Sequence, residues 1–219
     1  MSAIRGKRSL KVLLETHTRA LGACRRCAFD DPSVLPVTSI AREPLAMLVG
    51  QAPGKTEVVD RRPFAGRAGR TLFRWFAEAG IDEIVARRRI YIAAVTRCYP
   101  GPSPSGRGDR VPSPTEMSAC SSWLDAELAM IAPRVLIPVG RLAIERFLGA
   151  RPLAEQVGRA HRLTDAPGSP LAIPLPHPSG ASSWIHAPGH LELVRESLRL
   201  IQEHLPELVH ESERARSVA

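Results

Sequence analysis

The sequence lacks any uninterrupted apolar run long enough to cross a bilayer as a helix. Its first residues, Met1 to Arg8, carry positive charge, but no apolar core follows them, so a secretory signal is not expected. The expectation is a cytoplasmic protein with no membrane partner. Cysteine is scarce, at four in 219 residues. In a reducing compartment four thiols serve as metal ligands, reactive groups or core residues rather than as a disulfide framework. Acidic residues are in deficit, 22 against 30 Lys and Arg, which leaves a formal charge of +8. Lysine is confined to Lys7, Lys11 and Lys55, so nearly all of that charge is arginine, which grips phosphate bidentately and is weakly hydrated. Such an excess favours a polyanionic partner, though an ordinary soluble basic surface would have the same composition. No internal repeat or second domain is visible. The expectation is one monomeric domain over residues 1–219, with 211–219 a charged, frayed tail.

What is present is an alternation of strands and helices. Ser9 is placed to cap a helix with Leu10, Leu13, His17 and Leu21 on one side, ending near Gly22. Four apolar segments read as strands: Leu45 to Val49, Ile90 to Thr96, Arg134 to Val139 and Leu171 to Leu175. Between them fall a helix from about Gly66 to Ala79 with Leu72, Trp75, Phe76 and Ala79 inward, and a short one over Leu142 to Leu148. Another opens at Ser113-Pro114-Thr115-Glu116, a capping box with proline at the first helical position. Its apolar face carries Met117, Cys120, Leu124, Leu128 and Ile131. A last helix carries Leu191, Val194, Leu198, Ile201 and Leu205. Tyr99 to Pro112 is a Pro-, Gly- and Ser-rich exposed loop. Such alternation predicts a three-layer α/β/α fold on a central, mostly parallel four-stranded sheet. Ligands of such sheets bind beyond the carboxyl ends of the strands. Three segments sit there: the loop after Val49, Cys98 with its loop, and His177.

Two motifs carry chemistry. The first runs Gly50-Gln51-Ala52-Pro53-Gly54, then Glu57, then Pro63-Phe64-Ala65-Gly66-Arg67-Ala68-Gly69, a loop of small residues that lets backbone N–H groups approach a ligand. The second is His177-Pro178-Ser179 at the end of a later strand. With Cys24-x-x-Cys27, a strand running into Cys98, and Cys120 on the next helix, the order resembles the uracil-DNA glycosylase superfamily, in its iron–sulfur families four and five. The resemblance spans about Cys24 to Ile201. Cysteine spacing by itself suits zinc or an iron–sulfur cluster; the resemblance implies a 4Fe–4S cluster on Cys24, Cys27, Cys98 and Cys120.

The resemblance implies hydrolytic excision of a flipped uracil or other deaminated base from DNA. No lysine stands where a Schiff base would form, so strand cleavage is not expected. Phe64 would stack on the extruded base. His177 would bond a base carbonyl and stabilise the charge developing on the departing base. Gly50, Gln51, Ala52, Pro53 and Gly54 would line the pocket, while Pro178, Ser179 and Gly180 would approach phosphates. Trp184 or Ile185 would wedge into the duplex. Arg61, Arg62, Arg67, Arg70 and Arg74 suit a phosphate rim, Arg107 and Arg110 could also touch DNA, and Arg87-Arg88-Arg89 reads as a solvated loop. Two positions depart from family four. Gln51 replaces a carboxylate and cannot take a proton from water at neutral pH, which leaves Glu57, then Asp60, to assist. Ala94 replaces the asparagine that reads the uracil edge, which implies a broader range of bases. A binder of damaged bases or abasic sites without turnover, and a zinc-stabilised DNA-binding module, are the other readings of the same residues.

Overall fold

In the computed structural model the described residues are 2–27, 34–41, 43–105, 108–179 and 183–217, with side chains from Leu10 onward. Five strands form one sheet: β1 (Ala46–Gly50), β2 (Ile90–Ala94), β3 (Val135–Pro138), β4 (His161–Arg162) and β5 (Leu171–Ala172). Their order is β2-β1-β3-β5-β4. The four expected strands pair in parallel. The count of four is corrected by β4, which adds antiparallel to β5; two residues are too few to display a periodicity.

Nine helices surround the sheet among the described residues: α1 (Ser2–Gly22), α2 (Lys55–Asp60), α3 (Arg67–Glu78), α4 (Glu83–Arg89), α5 (Pro114–Ile131), α6 (Arg141–Leu148), α7 (Leu153–Gln156), α8 (His190–His204) and α9 (Pro206–Arg216). Alternate strand residues divide the core in two, as the period of a pleated strand requires. Ala46, Leu48, Ile90, Ile92, Val135 and Ile137 pack with Leu72, Phe76, Val85, Leu198 and Leu208 on one face. Met47, Val49, Tyr91, Ala93 and Leu136 pack with Leu14, Leu124, Leu128 and Ala143 on the other. The three-layer expectation holds. The capping box of α5 also forms: Glu116 N–H donates to Ser113 Oγ at 3.3 Å, and Ser113 N–H to Glu116 Oε2 at 2.7 Å.

Four local expectations are corrected. The first helix starts at Ser2, so Ser9 lies within it; Leu14 is buried and Leu13 is exposed, which moves the apolar stripe by one residue. The Arg87–Arg89 run belongs to α4, capped by Asp82, whose Oδ1 accepts from Ile84 N–H at 2.8 Å. The stretch from 211 is no frayed tail as far as Arg216, because Pro206 opens a new helix. Leu208 and Ser212 of that helix are buried, and Asp82 N–H donates to Ser212 Oγ at 2.9 Å. Leu191, expected inward, is exposed at the start of α8.

Candidate active site

The first motif begins where β1 ends. Gly50 is buried there, and a Cβ in its place would lie 3.2 Å from Phe64 Cζ. Glycine therefore lets the Phe64 ring lie directly over the strand end. Phe64 adopts φ 50°, a left-handed conformation that costs a bulky residue about 1–3 kcal/mol unless its surroundings enforce it. Three groups do so. Phe64 N–H donates to Glu57 Oε1 at 2.5 Å. Its carbonyl accepts from Arg87 Nη2 at 2.9 Å, while Arg87 Nη1 donates to Pro63 O at 2.8 Å. Gly69 of α3 packs so closely that a Cβ there would meet Phe64 O at 1.8 Å.

Glu57 thus acts as a clamp. Its other oxygen, Oε2, accepts from Gly54 N–H at 2.5 Å. Burial raises its pKa, against the lowering effect of the two backbone hydrogen bonds. Both oxygens already hold the loop, so the carboxylate expected to assist catalysis is engaged in positioning Gly54 and Phe64. Asp60 is exposed at the end of α2 and does not line the pocket. Arg87 is the positioning residue that the sequence concealed. It is only 6% exposed, bonds Glu83 Oε1 through Nε at 2.7 Å, and lies 4.2 Å from the centre of the Phe73 ring.

The second motif follows β5. The strand direction continues through a bridge between Val139 and Leu175, so His177 emerges beside the end of β1. Gly140, at φ 86°, clears space for it: a Cβ there would lie 3.1 Å from His177 Cδ2. Ser179 holds the ring from both its groups, with Oγ 2.9 Å from Nδ1 and its N–H donating to Nδ1 at 3.2 Å. An Nδ1 that accepts a backbone N–H carries no proton, so the neutral ring presents Nε2–H. Burial lowers the His177 pKa, partly countered by Asp109, which favours that neutral form. Among the described residues Nε2–H has no hydrogen-bond partner.

One pocket unites these groups. It is lined by Gly50, Gln51, Ala52, Pro53, Glu57, Phe64, Ala94 and His177, closed by Val37, Pro63, Ala68, Ile92 and Ala93. It encloses about 470 Å³ including its open mouth. Gly54 stands behind the lining, bonded to Glu57.

The expected DNA-contacting residues separate. Arg61, Arg62, Arg67 and Arg70 are exposed around α2 and α3 and have no carboxylate partner among the described residues. Pro178 is buried and Ser179 is engaged by His177, so neither presents itself to phosphate. Trp184 stacks on His190 with ring centroids 4.0 Å apart, its carbonyl 2.8 Å from His190 Nδ1. It packs against the core, as does Ile185, which makes Trp184 an anchor of the loop rather than a wedge. Gly180 and Arg107 lie outside the described residues.

A second hollow gathers Cys24, Cys27, Cys98 and Cys120 with Arg97, Leu21, Val34 and Pro100. All four thiols are free of disulfides. Burial and mutual repulsion raise the pKa values of Cys27 and Cys98, the latter to about 12. Trp123 Nε1–H donates to Cys24 Sγ at 3.3 Å. Arg97 is fully buried and paired with Glu127, which also accepts from Tyr91 OH at 2.7 Å; the Nε and Nη1 groups of Arg97 have no partner among the described residues. Among the described residues no three His, Cys, Asp or Glu side chains gather as ligands of a single ion would. Also among them, no helix is long and apolar enough to cross a membrane.

Comparison with known proteins agrees with this arrangement. The model of the uracil DNA glycosylase superfamily matches residues 39–199. The chain is 33% identical over 133 residues to a type-4 uracil-DNA glycosylase of Thermotoga maritima, covering 61% of this chain and 64% of that protein. It is 31% identical over 133 residues to the type-4 enzyme of Archaeoglobus fulgidus, covering 60% and 62%. It is also similar to a type-5 uracil-DNA glycosylase of Thermus thermophilus, with 32% identity over 114 residues, 47% of this chain and 48% of that one. The chain thus spans less than two thirds of the length of these relatives.

Proposed function

Since the chain belongs to the uracil DNA glycosylase superfamily, we propose that it excises uracil and further deaminated bases from DNA by hydrolysing the bond between base and sugar. One observation carries the reading: a neutral imidazole whose Nε2–H has no partner among the described residues shares one pocket with the Phe64 ring and the loop from Gly50 to Pro53. The aromatic face is a stacking platform for an extruded base. The Nε2–H donor then lies where a base carbonyl gathers negative charge as the bond breaks, and a single such donor contributes about 10²–10³ in rate. Because Ser179 fixes the ring before substrate arrives, that donor needs no reorientation in the transition state. The exposed arginines of α2 and α3 flank the mouth and supply a phosphate rim.

Specificity follows from what position 94 lacks. Ala94 lines the pocket with a side chain that has no hydrogen-bonding group, and loss of a bidentate reader commonly costs about 1–3 kcal/mol of discrimination. The pocket then selects by stacking and by the His177 contact, which suits a range of deaminated bases.

The four thiols fit a 4Fe–4S cluster: an all-sulfur donor set lines one hollow beside a buried cation with unmet N–H groups. When bound, the cluster would tie the segment after α1, the loop after β2 and α5 into one unit, supplying structure rather than a group in the base pocket. Arg97 would set a fixed positive charge against its negative one.

Labelled oligonucleotides containing uracil, hypoxanthine or xanthine, followed by alkali, test the proposal. Cleavage at uracil and at one or both purines is expected. His177→Ala should lose about 10²-fold or more in rate with DNA affinity retained. Tight binding to such DNA with no excision of any base would replace the enzyme by a damage-binding protein.

A further inference from the structure

Hydrolysis at a sugar carbon calls for a carboxylate near the attacking water, and the base pocket has none free. Position 51 is glutamine, and both oxygens of Glu57 are held by loop N–H groups. A further carboxylate, Asp109 of the Pro-rich segment after β2, lies at the rim against Gly54, outside the pocket lining itself.

That segment is an ordered hairpin at its base. Ser103 N–H donates to Gly108 O at 2.9 Å, Arg110 N–H to Gly101 O at 3.0 Å, and Pro102 bridges Asp109. Arg110 grips Glu116 with two bonds of 2.6 and 2.8 Å, and Glu116 is itself the capping carboxylate of α5. The residue beside Asp109 is therefore anchored to the scaffold. Asp109 Oδ2 lies 3.0 Å from the position that a Cβ on Gly54 would occupy. Any side chain at 54 would press on this carboxylate, and Gly54 directly follows the pocket-lining Gly50–Pro53. Asp109 hydrogen-bonds the Tyr99 side chain, and its charge also acts on Glu57 of the first motif and His177 of the second. Asp109 is exposed and pairs with no cation among the described residues.

We propose that Asp109 is the carboxylate that activates the attacking water and faces the positive charge of the sugar, in place of the one missing at position 51; this rests on the glycosylase reading. The water oxygen bonds to C1′ while the bond from C1′ to the base nitrogen breaks. The electron pair of the broken bond leaves on the base, whose carbonyl receives the His177 Nε2–H bond. The proton released by the water passes to an Asp109 oxygen. General-base assistance of this kind contributes about 10²–10⁴ in rate.

Single-turnover excision of uracil by the full chain tests it. Asp109→Asn is expected to slow excision by about 10²-fold or more while DNA affinity is unchanged or slightly raised, since a negative charge near phosphates is lost. Adding Gln51→Glu to that variant should recover about tenfold or more, because position 51 lines the pocket and a carboxylate there again faces the attacking water. A structural role for Asp109 would not be rescued this way. Excision by Asp109→Asn within about twofold of the parent, or a rate loss that Gln51→Glu does not recover, overturns the proposal while leaving the glycosylase reading intact. If the parent protein itself excises no base, the glycosylase reading fails and this proposal with it.

Discussion

Replacing Arg87 by methionine removes the group that pins the Phe64 carbonyl while keeping most of the apolar stem. Three charge-assisted hydrogen bonds are lost: those to Pro63 O and Phe64 O, each contributing about 1.5–3 kcal/mol in a buried setting, and the one to the half-exposed Glu83 carboxylate, which solvent screening holds to about 0.5 kcal/mol. Stacking on Phe73 is retained in part, and water reaching the freed carbonyls offsets some of the loss. A net destabilisation of about 3 kcal/mol is expected, read as a fall in melting temperature of about 6–12 °C for a chain of this size. The functional effect should exceed that of a generic core lesion. Glu57 takes the Phe64 N–H and Arg87 its carbonyl, with Gly69 packed alongside, so releasing the carbonyl end lets the ring leave the end of β1. Misplacement of a stacking platform by about 1 Å costs about 10²-fold in rate. Excision should therefore drop while affinity for undamaged DNA stays constant. A lowered melting temperature with unaltered excision would show that Arg87 serves the core alone. An unchanged melting temperature would refute the clamp energetics.

Gly69→Ala places a methyl 1.8 Å from Phe64 O, so the loop or α3 must shift; a loss of about 1–3 kcal/mol with reduced excision is expected, and wild-type melting and activity would contradict the contact. Burial lowers the pKa values of His17 and His177 below 6.5, so the folded state binds fewer protons than the unfolded chain under acid conditions. Stability should fall as pH drops below about 6.5, and His177→Asn should flatten part of that slope in denaturant titrations; Glu57, whose pKa is raised, acts in the opposite sense nearer the carboxylate range. Arg97→Leu leaves Glu127 buried without its cation and should cost about 3–5 kcal/mol, with much of the loss recovered when Glu127→Leu is added. Protein purified without oxygen should hold iron and absorb broadly in the visible, and Cys120→Ser should lose both; stoichiometric zinc in colourless protein would refute the 4Fe–4S assignment.

Sequence by itself determined the layering and most of the pocket. Apolar runs of strand length, separated by helical periodicities, leave few ways to bury both faces of a sheet, and β1, β2, β3 and β5 fall where those runs lie. Gly50 and His177 were readable because they lie at or just past strand ends, and Phe64 because it stands in a Pro-Phe-Ala-Gly run shortly after the first of them. Tertiary structure alone decided the division of labour. In sequence Glu57 reads as a catalytic carboxylate and Arg87 as part of a solvated basic run, yet each spends its charge on backbone groups of residues 54–64. Asp109 is hidden in a Pro-rich segment, and only the fold brings it against Gly54. Trp184, an inviting wedge by composition, is held by His190. The physical reason is common to all four: local patterns encode which face of an element avoids water, whereas the partner of a polar side chain is set by which distant backbone the fold delivers to it.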